Sequence, residues 1–184
     1  RNFTEQPADI GVQWADMTLY TLRFSSCNSP TYGSRSLGYV GLVMYESIVY
    51  GDPAQRSMSG QLNGLALAPP AQGQEYDWLM ALNAGQQTIL KLLYPVPGNS
   101  HRYVHDKIDS LFQLVQDNLS KGVPAQVISR SVAFGKAVAE TIFEWSKSDG
   151  GHEGFKRNFD PSYVFPGGRS HWVPPIRGQT ISMY

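Results

Sequence analysis

The chain has 184 residues, a length that fits one domain with a substantial core. Its 15 basic and 15 acidic residues balance, so it has neither the basic footprint of a dedicated nucleic-acid binder nor a polybasic membrane signal. Charged residues make up 16% of the chain, below the roughly 25% of typical globular domains. A single cysteine, Cys27, excludes an internal disulfide framework.

The spacing of apolar residues predicts an all-α bundle of about five main helices. A glycine or proline follows most of them, as helix ends prefer. We interpret residues 1–184 as a single helical domain with no strand and no internal repeat. The five predicted helices span residues 7–25, 31–50, 77–94, 101–121 and 124–148, and Asn99-Ser100 supplies the N-cap of the fourth.

The second predicted helix, 31–50, is apolar on all sides of a helical wheel, which is typical of a helix buried at the centre of a protein. Its longest uncharged run, 36–45, is shorter than the roughly 20 residues needed to cross a bilayer. We therefore expect a central helix with the others packed around it and no membrane span. Gly38 and Gly41 share one face, which predicts close approach of another helix there.

Two charged side chains oppose the macrodipole of the same helix. Arg35 lies near its start and Glu46 near its end, whereas helices favour anions at the start and cations at the finish. We expect each to be paired. Asp16 on the first helix is the predicted partner of Arg35. The predicted partners of Glu46 lie on the fifth helix and are Arg130 and Lys136.

Two segments lack helical periodicity. Residues 51–75 are rich in glycine, proline, glutamine and serine and predict a long irregular loop with one helical turn near 58–62. Loops of this length are usually functional or packed on a partner. Residues 150–184 predict an extended C-terminal tail over the bundle. The chain begins without methionine, so we interpret it as the N-terminal part of a longer protein, exported to the periplasm or the extracellular space.

Four stretches together resemble the N-terminal helical half of bacterial proteins related to vanadium-dependent haloperoxidases and type 2 phosphatidic acid phosphatases. The resemblance spans most of the chain, and its motifs are moderately specific as a set and weak one at a time. The pattern Ser-Arg…Gly…Tyr-Glu-Ser of the second helix contributes most to the resemblance. The four stretches are 16–19 (DMTL), 34–47 (SRSLGYVGLVMYES), 60–64 (GQLNG) and 171–175 (HWVPP).

The resemblance implies chemistry whose residues this chain does not carry. The family binds vanadate or phosphate with two arginines, a lysine and the amides of a Ser-Gly-His turn, and a second histidine binds the metal or attacks phosphorus. The chain has no Arg-Pro, and 59–61, 151–152 and 169–171 are only near misses to the other signatures. We therefore assign no catalytic, cofactor-binding or metal residue. The resemblance implies that vanadate, if used, binds in a missing C-terminal catalytic domain.

Three functions follow from these observations. The first is the N-terminal structural domain of a haloperoxidase-like or acid-phosphatase-like protein, inert alone and packed against the catalytic half. The alternative is a stand-alone helical module that binds a ligand or protein partner through the 51–75 loop. The third is a metal-dependent enzyme that uses His101, His105 and Asp109, spaced four residues apart on one helical face. Homo-oligomerisation is left open.

The remaining candidates have simpler explanations. A polar stripe exposed to solvent accounts for the histidine face of the fourth helix, because Asp106 and Lys107 lie beside it. Cys27 has no histidine near it in sequence, which favours a packed thiol over a nucleophile. A solvated loop is favoured over an anion site at 152–157. Core packing is favoured over a sugar-binding platform for the four tryptophans, Trp14, Trp78, Trp145 and Trp172.

Overall fold

The computed structural model describes residues 9–26, 28–157, 162, 164 and 167–170, and within them every regular element is helical. Three short 3-10 helices accompany the five α-helices. The predicted all-α class with five main helices is thus confirmed. The helices are α1 (Asp9–Phe24), α2 (Pro30–Ile48), α3 (Trp78–Leu93), α4 (Arg102–Leu119) and α5 (Ala125–Ser146), and the 3-10 helices are Val49–Gly51, Lys147–Asp149 and Gly154–Lys156. Among the described residues, none of the helices is both long and apolar enough to cross a membrane.

Side-chain caps fix two helix starts. Ser29 accepts a hydrogen bond from the Tyr32 amide at 3.3 Å, and Pro30 follows in the first helical turn, where its missing N–H costs nothing. Asp77 caps α3 by accepting from the Met80 amide at 3.2 Å. These caps explain why α2 and α3 begin within one residue of their predicted starts.

The predicted cap of α4 is wrong. His101 is the N-cap residue and makes no side-chain cap hydrogen bond. The two predicted cap residues are buried in the loop before it, where they tie α4 to the end of α1. The Asn99 carbonyl accepts from the Ser26 amide at 2.6 Å, and the Ser25 hydroxyl donates to Ser100 Oγ at 3.3 Å. The Ser100 hydroxyl, which a local cap would use, accepts a tertiary hydrogen bond instead, whereas Asn99 makes its contact through the backbone carbonyl.

The helix at the centre of the bundle is α3, and this corrects the expectation for the helix at 31–50. Ten of the 16 residues of α3 are buried, against seven of the 19 residues of α2. The other four α-helices all contact α3. The α3 helix is enclosed because the other four helices pack around it, whereas residues on one face of α2 remain exposed.

Glycines mark the closest helix crossings, at positions other than those predicted. A Cβ at Gly135 of α5 would overlap the Ala81 carbonyl of α3, and a Cβ at Gly85 would lie 2.7 Å from Ser47 Oγ of α2. Gly38 and Gly41, in contrast, are exposed and have nothing within 4 Å of an added Cβ. The predicted close approach at these two residues is therefore wrong within the described part of the chain.

The predicted irregular connection between α2 and α3 is present as turns and bends after the first 3-10 helix. The expected turn near 58–62 is confirmed, since the amides of Gln61 and Leu62 both donate to the Met58 carbonyl, at 2.9 and 3.1 Å. Leu65 anchors the connection in the core with 2% exposure. The loop is therefore fixed to the bundle at Leu65, while most of its other residues are exposed.

The predicted tail at 150–184 falls largely outside the described residues. Its first part is not extended, because it contains the 3-10 helix Gly154–Lys156. Phe155 in that turn packs edge-on against Tyr32 of α2, with ring centroids 5.5 Å apart. Burial of an aromatic ring is worth enough to fold this short segment back on the bundle.

Candidate functional site

The start of α2 and the end of α5 are clamped together by Arg35. Its Nε donates to Asp149 Oδ2 at 2.7 Å, and its Nη2 donates to the Ser146 carbonyl, also at 2.7 Å. The guanidinium thus lies at the N-terminus of its own helix but at the C-terminus of α5, where unsatisfied carbonyls favour a cation. The unfavourable placement on α2 is offset by the favourable one on α5.

Asp149 and Tyr39 complete this clamp. Burial opposes ionisation of Asp149, but hydrogen bonds from Arg35, Tyr39 and the Gly151 amide outweigh it and lower the pKa of the carboxyl. Burial, with the hydrogen bond to Asp149, raises the pKa of Tyr39 to about 12. At neutral pH the clamp therefore consists of a cation, an anion and a neutral hydroxyl donor.

A surface groove of about 560 Å³ lies beside the clamp, between α2, α5 and the 51–75 loop. Tyr39 and Trp145 meet edge to face in its wall, with ring centroids 5.8 Å apart, and Trp145 Nε1 donates to the Asn63 carbonyl at 3.0 Å. Its lining residues are Ser34, Arg35, Gly38, Tyr39, Leu42, Leu62, Trp145 and Asp149. The lining is mostly aromatic and aliphatic, with one internally neutralised ion pair.

Glu46 anchors the loop from the other end of α2. The side chain is 1% exposed, and its two oxygens accept from the Ser57 hydroxyl and the Met58 amide, each at 2.7 Å. Among the described residues, no cation forms an ion pair with it. Hydrogen bonds to a carboxylate are stronger than those between neutral groups, so this contact fixes the first part of the loop against α2.

Both predicted charge pairings are wrong, although the prediction that each charge is held is confirmed. Asp16 is exposed on the outer side of α1, and Lys136 is exposed on α5. Arg130 instead donates to the Glu75 carbonyl at 2.8 Å and stacks on Tyr76. The sequence did contain one overlooked signal: Asp149 also opposes a helix dipole, at the end of α5, and so matches Arg35 as a second misplaced charge.

The histidine face of α4 is divided among three different sets of partners. His105 Nε2 lies 2.7 Å from the Tyr94 carbonyl, and Asp109 forms an ion pair with Lys91 at 2.8 Å. His101 stacks on Tyr103 and contacts Ser26. Within the described residues, no group of three metal-ligating side chains is close enough to hold an ion. The contacts agree with the polar-stripe explanation.

The charged residues after α5 are also engaged locally. Lys156 forms an ion pair with Glu153 at 2.7 Å, and Arg157 donates to the Gly150 carbonyl at 2.8 Å. The His152 ring lies edge-on to Phe143. These contacts agree with a solvated loop rather than a preformed anion site.

The described tryptophans have structural roles. Trp14 is fully buried and donates to Asn83 Oδ1 at 3.0 Å, as expected for a core residue. Trp78 stacks on Tyr76 beside Phe134 and lines a second, smaller pocket of about 330 Å³ together with Pro69 and Pro70. Cys27 and Trp172, together with the 171–175 motif, lie outside the described residues.

The clamp holds α2 to the end of α5, and the groove could accept an apolar group. The described lining residues form no recognisable catalytic arrangement. Arg35 is neutralised by Asp149 and turned toward the end of α5, so it is not free to neutralise an oxyanion. Within the described part of the chain, no lysine, histidine or second arginine lines the groove. These residues do not fit vanadate, which needs several convergent cationic and hydrogen-bond donor groups.

Comparison with known proteins gives a match in fold to a solved structure. No protein-family model matches the chain, and no curated protein sequence matches it. A solved structure described as the first bacterial vanadium-dependent iodoperoxidase matches with a TM-score of 0.59 and 22% sequence identity. The match covers 87% of this chain and 38% of that one, so this chain spans well under half the length of its structural relative. The chain therefore has a haloperoxidase-like helical fold that corresponds to part of a larger protein.

Proposed function

We propose that this chain is the N-terminal structural domain of a haloperoxidase-like protein and that it supports a catalytic half encoded beyond it. The observation that carries the proposal is the fold match, which takes in nearly all of this chain but only 38% of the iodoperoxidase. The sequence pattern of α2 points the same way, because its arginine and glutamate make contacts that hold the domain together.

The proposal assigns a scaffold role to the residues of the family-like pattern. Arg35 joins α2 to α5, and Glu46 joins α2 to the 51–75 loop. Both are contacts within the domain. Vanadate or phosphate chemistry would belong to the other half, whose residues would supply the cationic oxyanion pocket.

The test is to read and express the longer coding sequence. The account expects Arg-Pro, Ser-Gly-His and a later Arg with His six residues on in the segment after Tyr184. The longer protein should oxidise halide with hydrogen peroxide in the presence of vanadate, or hydrolyse phosphate esters. The 184-residue chain should do neither. A downstream sequence without those signatures would overturn the proposal, as would halide oxidation by the 184-residue chain alone.

A further inference from the structure

One face of α2 is exposed yet lacks the side chains of a solvent-facing helix. This glycine face consists of Ser34, Leu37, Gly38 and Gly41, and Leu37 is 45% exposed. None of the four is charged. The outer face of α4, in contrast, carries exposed Arg102, Asp106, Lys107 and Asp117 among other polar residues. Polar and charged residues are the usual outer face of a surface helix, so the glycine face resembles a packing surface.

Packing within the described part of the chain does not require a glycine at position 38 or 41. A Cβ at Gly38 or Gly41 would meet no atom within 4 Å. Each glycine costs the helix about 1 kcal/mol relative to alanine. At Gly85 and Gly135 a tight helix crossing offsets that cost, because no Cβ fits there. A similar close approach from outside would give Gly38 and Gly41 the same role.

The glycine face continues directly into the groove beside the clamp. Ser34 and Gly38 belong to both, and Leu42, Leu62 and Trp145 form the apolar depth beyond them. Packed helix axes lie about 8–10 Å apart, and small residues at the crossing permit the shorter distances. A helix laid across the glycines could therefore place one bulky apolar side chain in the groove.

We propose that the glycine face and the adjoining groove dock an uncharged, aliphatic face of an α-helix from the remainder of the longer protein. This inference rests on the proposed function. The neutral lining fits an apolar helix, since an uncharged surface offers nothing to a strongly charged partner. The fold match supplies the reason to place that helix in the same polypeptide, because the matching fold occurs within a chain more than twice as long.

The experiment measures thiol protection in the longer protein. In a Cys27→Ser background, Leu37→Cys reports on the glycine face without adding a side chain at either glycine, and Ser110→Cys reports on the outer face of α4, where Ser110 is exposed. A maleimide should label position 37 at least about tenfold more slowly than position 110, because a docked residue reacts only when the interface opens. In the 184-residue chain both positions should label at similar rates.

The other possible labelling results distinguish the docking proposal from its alternatives. Equal labelling of both positions in the longer protein would overturn the docking proposal. Protection at position 37 in the 184-residue chain that disappears on dilution would overturn it in favour of a second copy of the chain. Protection in a longer protein that has no vanadate-dependent oxidation or phosphatase activity would retain the docking surface and reject the proposed function. Activity in a longer protein without protection would reject the docking surface and retain the proposed function.

Discussion

Two pairs of glycines on packed helices have opposite surroundings in this protein. Gly85 and Gly135 lie at the crossings of α3 with α2 and α5, where an added methyl group would collide with Ser47 and with the Ala81 carbonyl. Gly38 and Gly41 lie on the outer face of α2 with open space around them. The sequence spacing of a glycine pair therefore indicates that a helix could approach closely, but not whether one does.

The α2 helix shows a similar contrast between its inward-facing and outward-facing side chains. Its charged side chains point inward and are held by Asp149, Ser57 and Met58, whereas three of its uncharged small residues, Ser34, Gly38 and Gly41, point outward. This arrangement differs from a usual surface helix, whose charged side chains face solvent. It is what a helix would show if it were packed on both sides in a larger assembly.

The largest expected effect is at the inner pair. Gly135→Ala forces a methyl group into a backbone carbonyl of the central helix, which cannot move aside as a flexible side chain can. We expect a loss of at least about 3 kcal/mol in the free energy of unfolding, beyond ordinary overpacking. Urea denaturation measures it, with Gly38→Ala as the matched control. A loss below that of a typical surface substitution would contradict the tight crossing.

The second effect tests the buried carboxylate. Glu46→Gln keeps the shape but replaces one acceptor by a donor facing either the Ser57 hydroxyl or the Met58 amide. We expect a loss of about 1–3 kcal/mol, because two charge-assisted hydrogen bonds become weaker neutral ones and the Ser57 hydroxyl must change from donor to acceptor, together with faster hydrogen exchange at the Met58 amide. Exposed Glu140→Gln on α5 is the control and should change stability little. Unchanged exchange at Met58 would show that the loop is held elsewhere.

A double-mutant cycle tests which side chain limits the approach of α2 to α3. Gly85→Ala should cost about 1–2 kcal/mol, since its Cβ meets the Ser47 hydroxyl and Val43. Ser47→Ala alone should be nearly neutral, because the buried hydroxyl has no hydrogen-bond partner in the described structure. The double variant should recover at least about 0.5 kcal/mol of the loss. Strict additivity would mean that Ser47 is not the obstacle.

The smallest effect concerns the clamp and its pH dependence. The pKa of Asp149 is lower in the folded protein than in the unfolded chain, so the stabilisation is present above the unfolded pKa of about 3.9 and is lost as the pH falls through the folded pKa. Asp149→Asn should cost under about 1 kcal/mol at pH 7, because the side chain is 32% exposed. The difference from the native chain should shrink between pH 4 and pH 2. A difference that is constant over this range would exclude the ion pair as its source.

Much of the helical architecture was predictable because local signals agreed with the packing. Pro30 and Asp77 begin helices, while Gly122 and Gly150 adopt the left-handed conformation just after α4 and α5, as the glycine stops predicted. The cap at Asn99-Ser100 was mispredicted because both residues serve contacts with α1. Local chemistry predicts a helix end only where no distant segment competes for the same groups.

The site was less predictable, since it depends on residues far apart in sequence. Opposition to the helix dipole correctly indicated that Arg35 and Glu46 need partners, but it could not choose Asp149, 114 residues away, over Asp16. For Glu46 the pattern suggested a cation, whereas the loop supplies an amide and a hydroxyl. Backbone donors carry no sequence signature, so such a pairing is visible only in the fold.

The most direct test of the outward-facing glycine pair is the stability of the double variant Gly38→Ala/Gly41→Ala in the 184-residue chain. The account predicts a rise in the free energy of unfolding of up to about 1 kcal/mol per site, because alanine favours the helix and meets no neighbour. Urea denaturation at neutral pH measures the change. A clear loss of stability would show that this face is already packed within the chain and would contradict the account.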